Sequence, residues 1–207
     1  APNNLIGGPD AGAGNTVSGN NYSGVLVYTP TATGVRVQGN RIGTDLSGTS
    51  AVPNGFYGVY VNSTDNWIGG TAAGEGNQIS GNTRGGVALT EKTAKRNAVQ
   101  GNRIGTNPAG TAALANGGSG VTIAEGSQNT IGGTAAGAGN QISGNAAQGV
   151  IVVGVNATGN AVHGNLIGLN AAGTAKLGNG QYGVAVYSSN TTIGGAGSGN
   201  TISGNTS

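Results

Sequence analysis

Two glutamates form the arrangement in this sequence that comes nearest to a catalytic pair. Glu91 and Glu125 each lie five residues after a glycine that opens a Gly-Val segment, at Gly86 and Gly120. If the two segments start adjacent coils, their turns stack and bring the carboxylates about 5 Å apart, the separation of a retaining glycosidase pair. The alternative is a solvated surface cluster, neutralised by nearby basic residues such as Lys92. We favour the surface cluster.

A second candidate site is aromatic. Trp67 is the outward middle residue of an Asn-x-Ile motif, and its neighbour in the preceding coil is Arg36. The spacing predicts a cation–π contact between them at the surface. With Tyr28 and Tyr60 expected nearby, these residues could form a platform on which a sugar stacks. The alternative is that an isolated aromatic side chain only covers sheet edges and aliphatic stems, and we favour it.

Other reactive residues are scattered. The chain has six acidic residues, one histidine and no cysteine. Asp45 lies in a long loop where its repeat equivalents are Asn107 and Asn170. His163 replaces a glutamine at an outward strand position, and a lone histidine makes a poor metal site. The sequence therefore predicts no metal site, no cofactor and no Ser/His/acid triad.

A long internal repeat must position all these residues. The tripeptide Ile-Gly-Gly begins at Ile6, Ile68, Ile131 and Ile193, with spacings of 62, 63 and 62 residues. Each long repeat contains two Gly-Val starts and therefore two coils of unequal length. We predict an all-β fold, a parallel β-helix (solenoid) with three parallel sheets and about seven coils. It forms a single domain over 1–207, with repeats at about 4–65, 66–128 and 129–190 and a partial repeat at 191–207.

The motif Asn-x-Ile closes each coil. In a strand the asparagine and the apolar residue two positions later face the same side, so stacked copies give an apolar column beside an asparagine column. Buried amides need partners, and stacked copies can bond to one another along the axis. The predicted structural ladder comprises Asn15, Asn40, Asn77, Asn102, Asn140, Asn165 and Asn200. A second series, Asn4, Asn66, Asn97, Asn129 and Asn160, is interrupted by Val35 and Thr191.

Composition limits the classes of function. Glycine accounts for 45 residues, only 7% of residues are charged, and the formal net charge is +2. The low apolar fraction would suit disorder, but valine and isoleucine recur in fixed phase with glycine and asparagine, which favours a folded solenoid. Eight basic residues spread over many coils make nucleic acid an unsuitable partner. No apolar run is long enough to span a bilayer, so we expect no membrane insertion.

Two stretches resemble a known family. The run from Ile131 to Asn140 and the run Gly164-Asn165-Leu166-Ile167-Gly168 resemble right-handed parallel β-helix repeats of large bacterial secreted or surface proteins. The wider relatives are the pectate-lyase-like β-helices, which also carry asparagine ladders. The resemblance implies the right-handed fold and an extracellular or cell-surface location in bacteria. The family's lyases hold calcium with clustered carboxylates beside a basic residue, and its hydrolases use grouped aspartates. This sequence departs from both patterns.

Three functions follow as hypotheses. We expect a structural or adhesive segment of a larger extracellular protein, and not an enzyme. The alternatives are a carbohydrate-binding module, using Arg36, Trp67, Tyr28 and Tyr60, or a polysaccharide lyase or hydrolase using Glu91 and Glu125. Candidate partners are polysaccharide and neighbouring solenoid segments. Because the end coils present open strand edges, we also expect end-to-end self-association.

Overall fold

The computed structural model describes all 207 residues and contains twenty short β-strands and no helix. None of its elements is therefore a helix able to cross a membrane. The strands form three parallel sheets. Sheet I contains β1 (Leu5–Gly7), β4 (Arg36–Gln38), β7 (Trp67–Gly69), β10 (Ala98–Gln100), β13 (Thr130–Gly132), β16 (Ala161–His163) and β19 (Thr192–Ile193). Sheet II contains β2 (Thr16–Val17), β5 (Arg41–Ile42), β8 (Gln78–Ile79), β11 (Arg103–Ile104), β14 (Gln141–Ile142), β17 (Leu166–Ile167) and β20 (Thr201–Ile202). Sheet III contains β3 (Val25–Tyr28), β6 (Tyr57–Asn62), β9 (Gly85–Thr90), β12 (Val121–Ala124), β15 (Val150–Val153) and β18 (Val184–Tyr187).

The chain makes six complete coils, each with one strand in every sheet, after the two leading strands β1 and β2. Each strand pairs with the strand three places along the chain, so every coil stacks on the one before it. This arrangement confirms the predicted β-solenoid with three sheets and about seven coils. Strands of two to six residues are stable here because each gains partners from both neighbouring coils.

The predicted apolar ladders form the core. In sheet II, Ile42, Ile79, Ile104 and Ile142 lie in register and are fully buried. The three ladders merge into one cluster of 24 buried residues. Burying each such side chain stabilises the fold by roughly 1.5–3 kcal/mol before conformational entropy is counted. The core is therefore thin but continuous along the axis.

The predicted asparagine ladder is also confirmed. Asn102 shows the repeating pattern: its side-chain amide donates to Asn140 Oδ1 at 3.0 Å, and its Oδ1 accepts from the Nδ2 of Asn77 at 2.9 Å. Its backbone N–H donates to the same Oδ1 of Asn140. Each buried amide thus bonds both neighbouring coils. The second predicted series runs from Asn66 to Asn160, and at its interruption the backbone N–H of Val35 donates to Asn66 Oδ1 instead.

A third asparagine ladder was not predicted. It lies at the corner between sheets II and III, where each side-chain amide donates to the next asparagine at 2.8–2.9 Å. Its members are Asn20, Asn54, Asn82, Asn116, Asn145, Asn179 and Asn205. All three corners of the solenoid are therefore held by stacked amides.

Glutamine side chains on the strands of sheet II hold the long loops. Gln78 donates to the backbone carbonyls of Gly48 and Thr106, and Gln141 does the same for the next pair of loops. Gly48 has a left-handed φ of +76°, which favours glycine, and a Cβ there would displace the Gln78 side chain. The loops therefore sit on the sheet as fixed ridges.

The end coils are less well covered. In the last coil, Ile193 and Ile202 are 42% and 43% exposed, whereas their counterparts in the middle coils are fully buried. No further coil stacks on them in the structure. End-to-end association through these coils stays a prediction.

Candidate functional site

Arg36 and Trp67 lie together as predicted. They are paired across adjacent strands, and the guanidinium carbon of Arg36 is 5.5 Å from the centre of the Trp67 ring. Trp67 is 39% exposed. The pair lines an open cavity of about 610 Å³ together with Asn3, Asn4, Leu5, Thr33, Gly34, Gln38 and Asp65. Such a cavity can accept a polar ligand against one aromatic face.

Tyr28 and Tyr60 line a different cavity. This second cavity has a volume of about 480 Å³ and is also lined by both candidate glutamates, with Asn62, Lys92 and Thr93. Trp67 and Arg36 do not contribute to it. The residues of the predicted aromatic platform therefore line two separate cavities. Tyr28 and Tyr60 share theirs with the predicted acid pair.

The turns that carry Glu91 and Glu125 stack as predicted. The backbone N–H of Glu91 donates to the carbonyl of Ala124 at 2.9 Å, and both glutamates have a left-handed φ, +67° and +65°. Such a φ is uncommon for residues other than glycine and costs about 1–2 kcal/mol at each position. Both side chains are thereby directed out of the solenoid into the same cavity.

The two carboxylates differ in their partners. Glu125 Oε2 accepts hydrogen bonds from the side-chain and backbone nitrogens of Asn156, at 2.6 and 3.0 Å. These bonds, with a smaller contribution from the charge of Lys92, hold the pKa of Glu125 below its ordinary value. The carboxylate of Glu91 accepts no hydrogen bond from another residue. Glu125 is therefore tied to the following coil, and the predicted 5 Å separation stays a prediction.

Two of the other acidic side chains hold the backbone. Asp45 accepts from the backbone N–H groups of Thr49 and Ser50, as Asn107 and Asn170 do in the equivalent loops. The hydroxyl of Ser47 is the largest cause of its lowered pKa. Glu75 similarly accepts from the backbone of its own loop. Asp45 and its two asparagine counterparts therefore share one structural role in the long loops.

Asp65 forms the one salt bridge in the protein. Both of its carboxylate oxygens accept from Arg96, at 2.7 and 2.8 Å, and these bonds lower the pKa of Asp65. The two residues occupy equivalent left-handed positions in adjacent coils, with φ of +61° and +52°. Sequence reasoning missed the pair because the left-handed corner, not the strand alternation, sets the direction of both side chains.

No three histidine, aspartate or glutamate side chains form a group that could hold a metal ion. His163 contacts Ser198, whose hydroxyl lies 3.3 Å from Nδ1. No carboxylate bonds to this histidine.

A further aromatic cluster was not predicted. Tyr22 and Phe56 lie in adjacent coils just before sheet III, with their rings stacked and the centroids 5.0 Å apart. Arg84, one coil further, places its guanidinium carbon 4.9 Å from the centre of the Phe56 ring and donates from Nε to the hydroxyl of Tyr57 at 3.2 Å. Tyr60 lies 6.0 Å from both Phe56 and Tyr57. One sequence signal could have located this cluster. Tyr22, Phe56 and Arg84 each lie two residues after an asparagine of the third ladder.

The fold is a parallel β-helix with three sheets. It is similar to the crystal structure of the periplasmic alginate epimerase AlgG, with a TM-score of 0.53 and 14% sequence identity. The similarity covers 86% of this chain and 43% of that one, so this chain spans less than half of that structure. At this identity the likeness shows the fold alone. No protein-family model and no curated protein sequence matches the chain.

Proposed function

We propose that this chain is a non-catalytic structural and adhesive segment of a larger bacterial protein outside the cytoplasm. The β-helix serves as a rigid spacer, held at three corners by amide ladders. The periplasmic location in the name of AlgG accords with an extracellular or envelope location. Neighbouring solenoid segments are its proposed structural partners, stacked through the end coils.

The roles of the carboxylates carry the proposal. Four of the six acidic side chains accept hydrogen bonds from other residues, namely Asp45, Asp65, Glu75 and Glu125. A glycosidase pair requires one carboxyl group with a raised pKa that can donate a proton. The pKa of Glu125 is lowered instead by its hydrogen bonds from Asn156, which disfavours this residue as the general acid.

A turnover assay tests the absence of catalysis. The purified chain is incubated with neutral and uronate polysaccharides, and chain ends, unsaturated products and sugar epimers are measured. We expect no product above the level without protein. Turnover that disappears in both Glu91→Gln and Glu125→Gln, and persists in Asp10→Asn, would contradict the proposal. Asp10 is a suitable control because its side chain bonds to no other residue.

Polysaccharide binding at the Arg36–Trp67 cavity is the second candidate function. It is favoured by the exposed aromatic face, the adjacent Arg36 cation and the volume of about 610 Å³, which lies within the usual range of ligand sites. The name of AlgG identifies a β-helix that acts on a polysaccharide. A glycan array comparing the wild type with Trp67→Ala provides the test. Thr130→Ala, two strands along the same outward column, is the matched control.

Loss of glycan binding in Trp67→Ala alone would support the binding function. Because the Trp67 side chain is exposed at the surface, thermal unfolding of the variant should stay close to that of the wild type, which separates lost binding from lost folding. Absence of binding by the wild type, or equal loss in both variants, would leave only the spacer function.

A further inference from the structure

Arg84 is held in place without a counter-ion. Its guanidinium lies over the Phe56 ring at 4.9 Å and near the Tyr57 ring at 5.7 Å, and Nε donates to the Tyr57 hydroxyl. The one salt bridge of the protein belongs to Arg96. The two terminal nitrogens of Arg84 therefore have no partner in the chain, although the side chain is exposed and is held by two aromatic rings and the Tyr57 hydroxyl.

We propose that Arg84, held against the rings of Phe56 and Tyr57, is a binding site for the anionic group of an acidic glycan. This group is a carboxylate or a sulfate. A guanidinium presents paired donors that match such oxyanions in a bidentate geometry. Holding the guanidinium in place before binding reduces the entropy cost of ordering the side chain in the complex. This site is separate from the Arg36–Trp67 cavity and does not depend on the binding function proposed there.

The surroundings favour a ring-bearing ligand. Tyr22 and Leu26 are 62% and 51% exposed, and Leu26 is paired across the sheet with Tyr60. Tyr22 stacks on Phe56, whose ring also contacts Arg84, so apolar surface and the unpaired cation lie in one column. A sugar ring that carries an acidic group can pack its C–H face on this surface while its anion meets Arg84. A neutral glycan would gain only the packing.

Backbone pairing argues against an acidic peptide as the ligand. Extended peptides commonly bind by adding a strand to a free sheet edge. In this column the backbone N–H of Phe56 already donates to Tyr22, and that of Arg84 donates to Phe56. Only side-chain faces are left for a ligand, which suits a glycan.

The fold itself does not require these residues. The equivalent positions in the next three coils hold Gly118, Ala147 and Gln181, joined by backbone hydrogen bonds in the same pattern. The same column is thus built without any aromatic ring or cation. Tyr22, Phe56 and Arg84 therefore serve binding and not the folding of this column.

Calorimetric titration of the full chain tests the site with four probes. These are a glucuronate oligosaccharide, a sulfated dextran oligosaccharide, neutral dextran of the same length and a poly-glutamate peptide. We expect the wild type to bind at least one acidic glycan and not neutral dextran. Comparison of the first two probes identifies carboxylate or sulfate as the preferred anion.

The decisive variant is Arg84→Lys, which keeps the charge but loses the paired donors and the planar stacking. We expect its affinity for the acidic glycan to fall about tenfold or more, the loss that accompanies removal of a hydrogen bond to a charged group. The control is Arg103→Lys, because Arg103 is an exposed arginine of sheet II that contacts no aromatic ring. This variant should bind as the wild type does. Thermal unfolding of both variants controls for folding.

Several results would overturn the proposal. They are absence of acidic-glycan binding, unchanged binding in Arg84→Lys, equal loss in Arg103→Lys, or equally tight binding of poly-glutamate. Binding that is lost in Trp67→Ala but kept in Arg84→Lys would place the glycan in the Arg36–Trp67 cavity and refute this site alone. A shift of the Arg84 Nε–H resonance on adding the glycan to the wild type would support it independently.

Discussion

The first three complete coils (β3–β11) and the last three (β12–β20) share one backbone and differ in their surface. The corner column before sheet III reads Tyr22, Phe56 and Arg84 in the first region and small or polar residues in the second. Trp67 and its arginine partner likewise belong to the first region, where the second has threonine and alanine in the same outward column. Stacking of coils alone therefore does not account for the aromatic residues.

The difference separates two kinds of constraint. Inward positions are fixed by the core and by the amide ladders, which are alike in both regions. Outward positions are free to vary because side chains there contact solvent and the adjacent coil only. In a repeat protein, a cluster that departs from the repeat on the outer face marks a surface candidate for function.

The largest effect should come from the shared framework. Asn77 and Asn140 each donate to a core carbonyl at 2.7 Å and bond to the next ladder asparagine at 2.9 Å. Replacing either with alanine leaves buried polar groups of both neighbouring coils without partners, which costs about 3 kcal/mol or more. We expect equal losses in the free energy of unfolding, measured by chemical denaturation. Clearly unequal losses would mean that the two regions do not share one framework.

A smaller effect should distinguish the corners of the two regions. Gln128 has a left-handed φ of +57°, is exposed, and bonds to no residue through its side chain. Gln128→Gly should therefore stabilise the fold by about 0.5–1 kcal/mol, because glycine relieves the strain but adds freedom to the unfolded chain. Arg96→Gly gains the same relief and loses the ion pair with Asp65, so we expect little net change. Equal stabilisation in both variants would show that the ion pair contributes nothing.

The smallest effect concerns pH and the same ion pair. The pKa of Asp65 in the folded protein is lowered from 3.8 by Arg96. Its stabilising contribution is therefore complete above about pH 4 and is lost as pH falls through the lowered value. Because the pair is exposed, the change should be small. Thermal unfolding between neutral pH and pH 2 should show a shallower decline for Asp65→Asn than for the wild type, and identical profiles would contradict this.

The fold could be predicted from the sequence because the motifs that determine it recur at regular intervals. The phase of Asn-x-Ile set the register of sheet II, and Arg36 opposite Trp67 followed from the same phase. The third asparagine ladder escaped prediction because its members share no invariant neighbour. A glycine precedes five of the seven, but Pro53 and Ala115 precede the other two. The bonds of Glu125 to Asn156 and of Asp65 to Arg96 depend on left-handed corners, whose direction strand alternation does not give.

The most direct test of the account is a backbone amide titration by nuclear magnetic resonance, in which an acidic oligosaccharide is added to the wild-type chain. We predict shifts concentrated in the first region, around Tyr22, Phe56 and Arg84 or around Trp67, with the later coils unchanged. Equally large shifts at Gly118, Ala147 and Gln181 would contradict the account. The coils without aromatic residues would then bind the oligosaccharide as well as the aromatic surface does. Absence of any shift would contradict it equally.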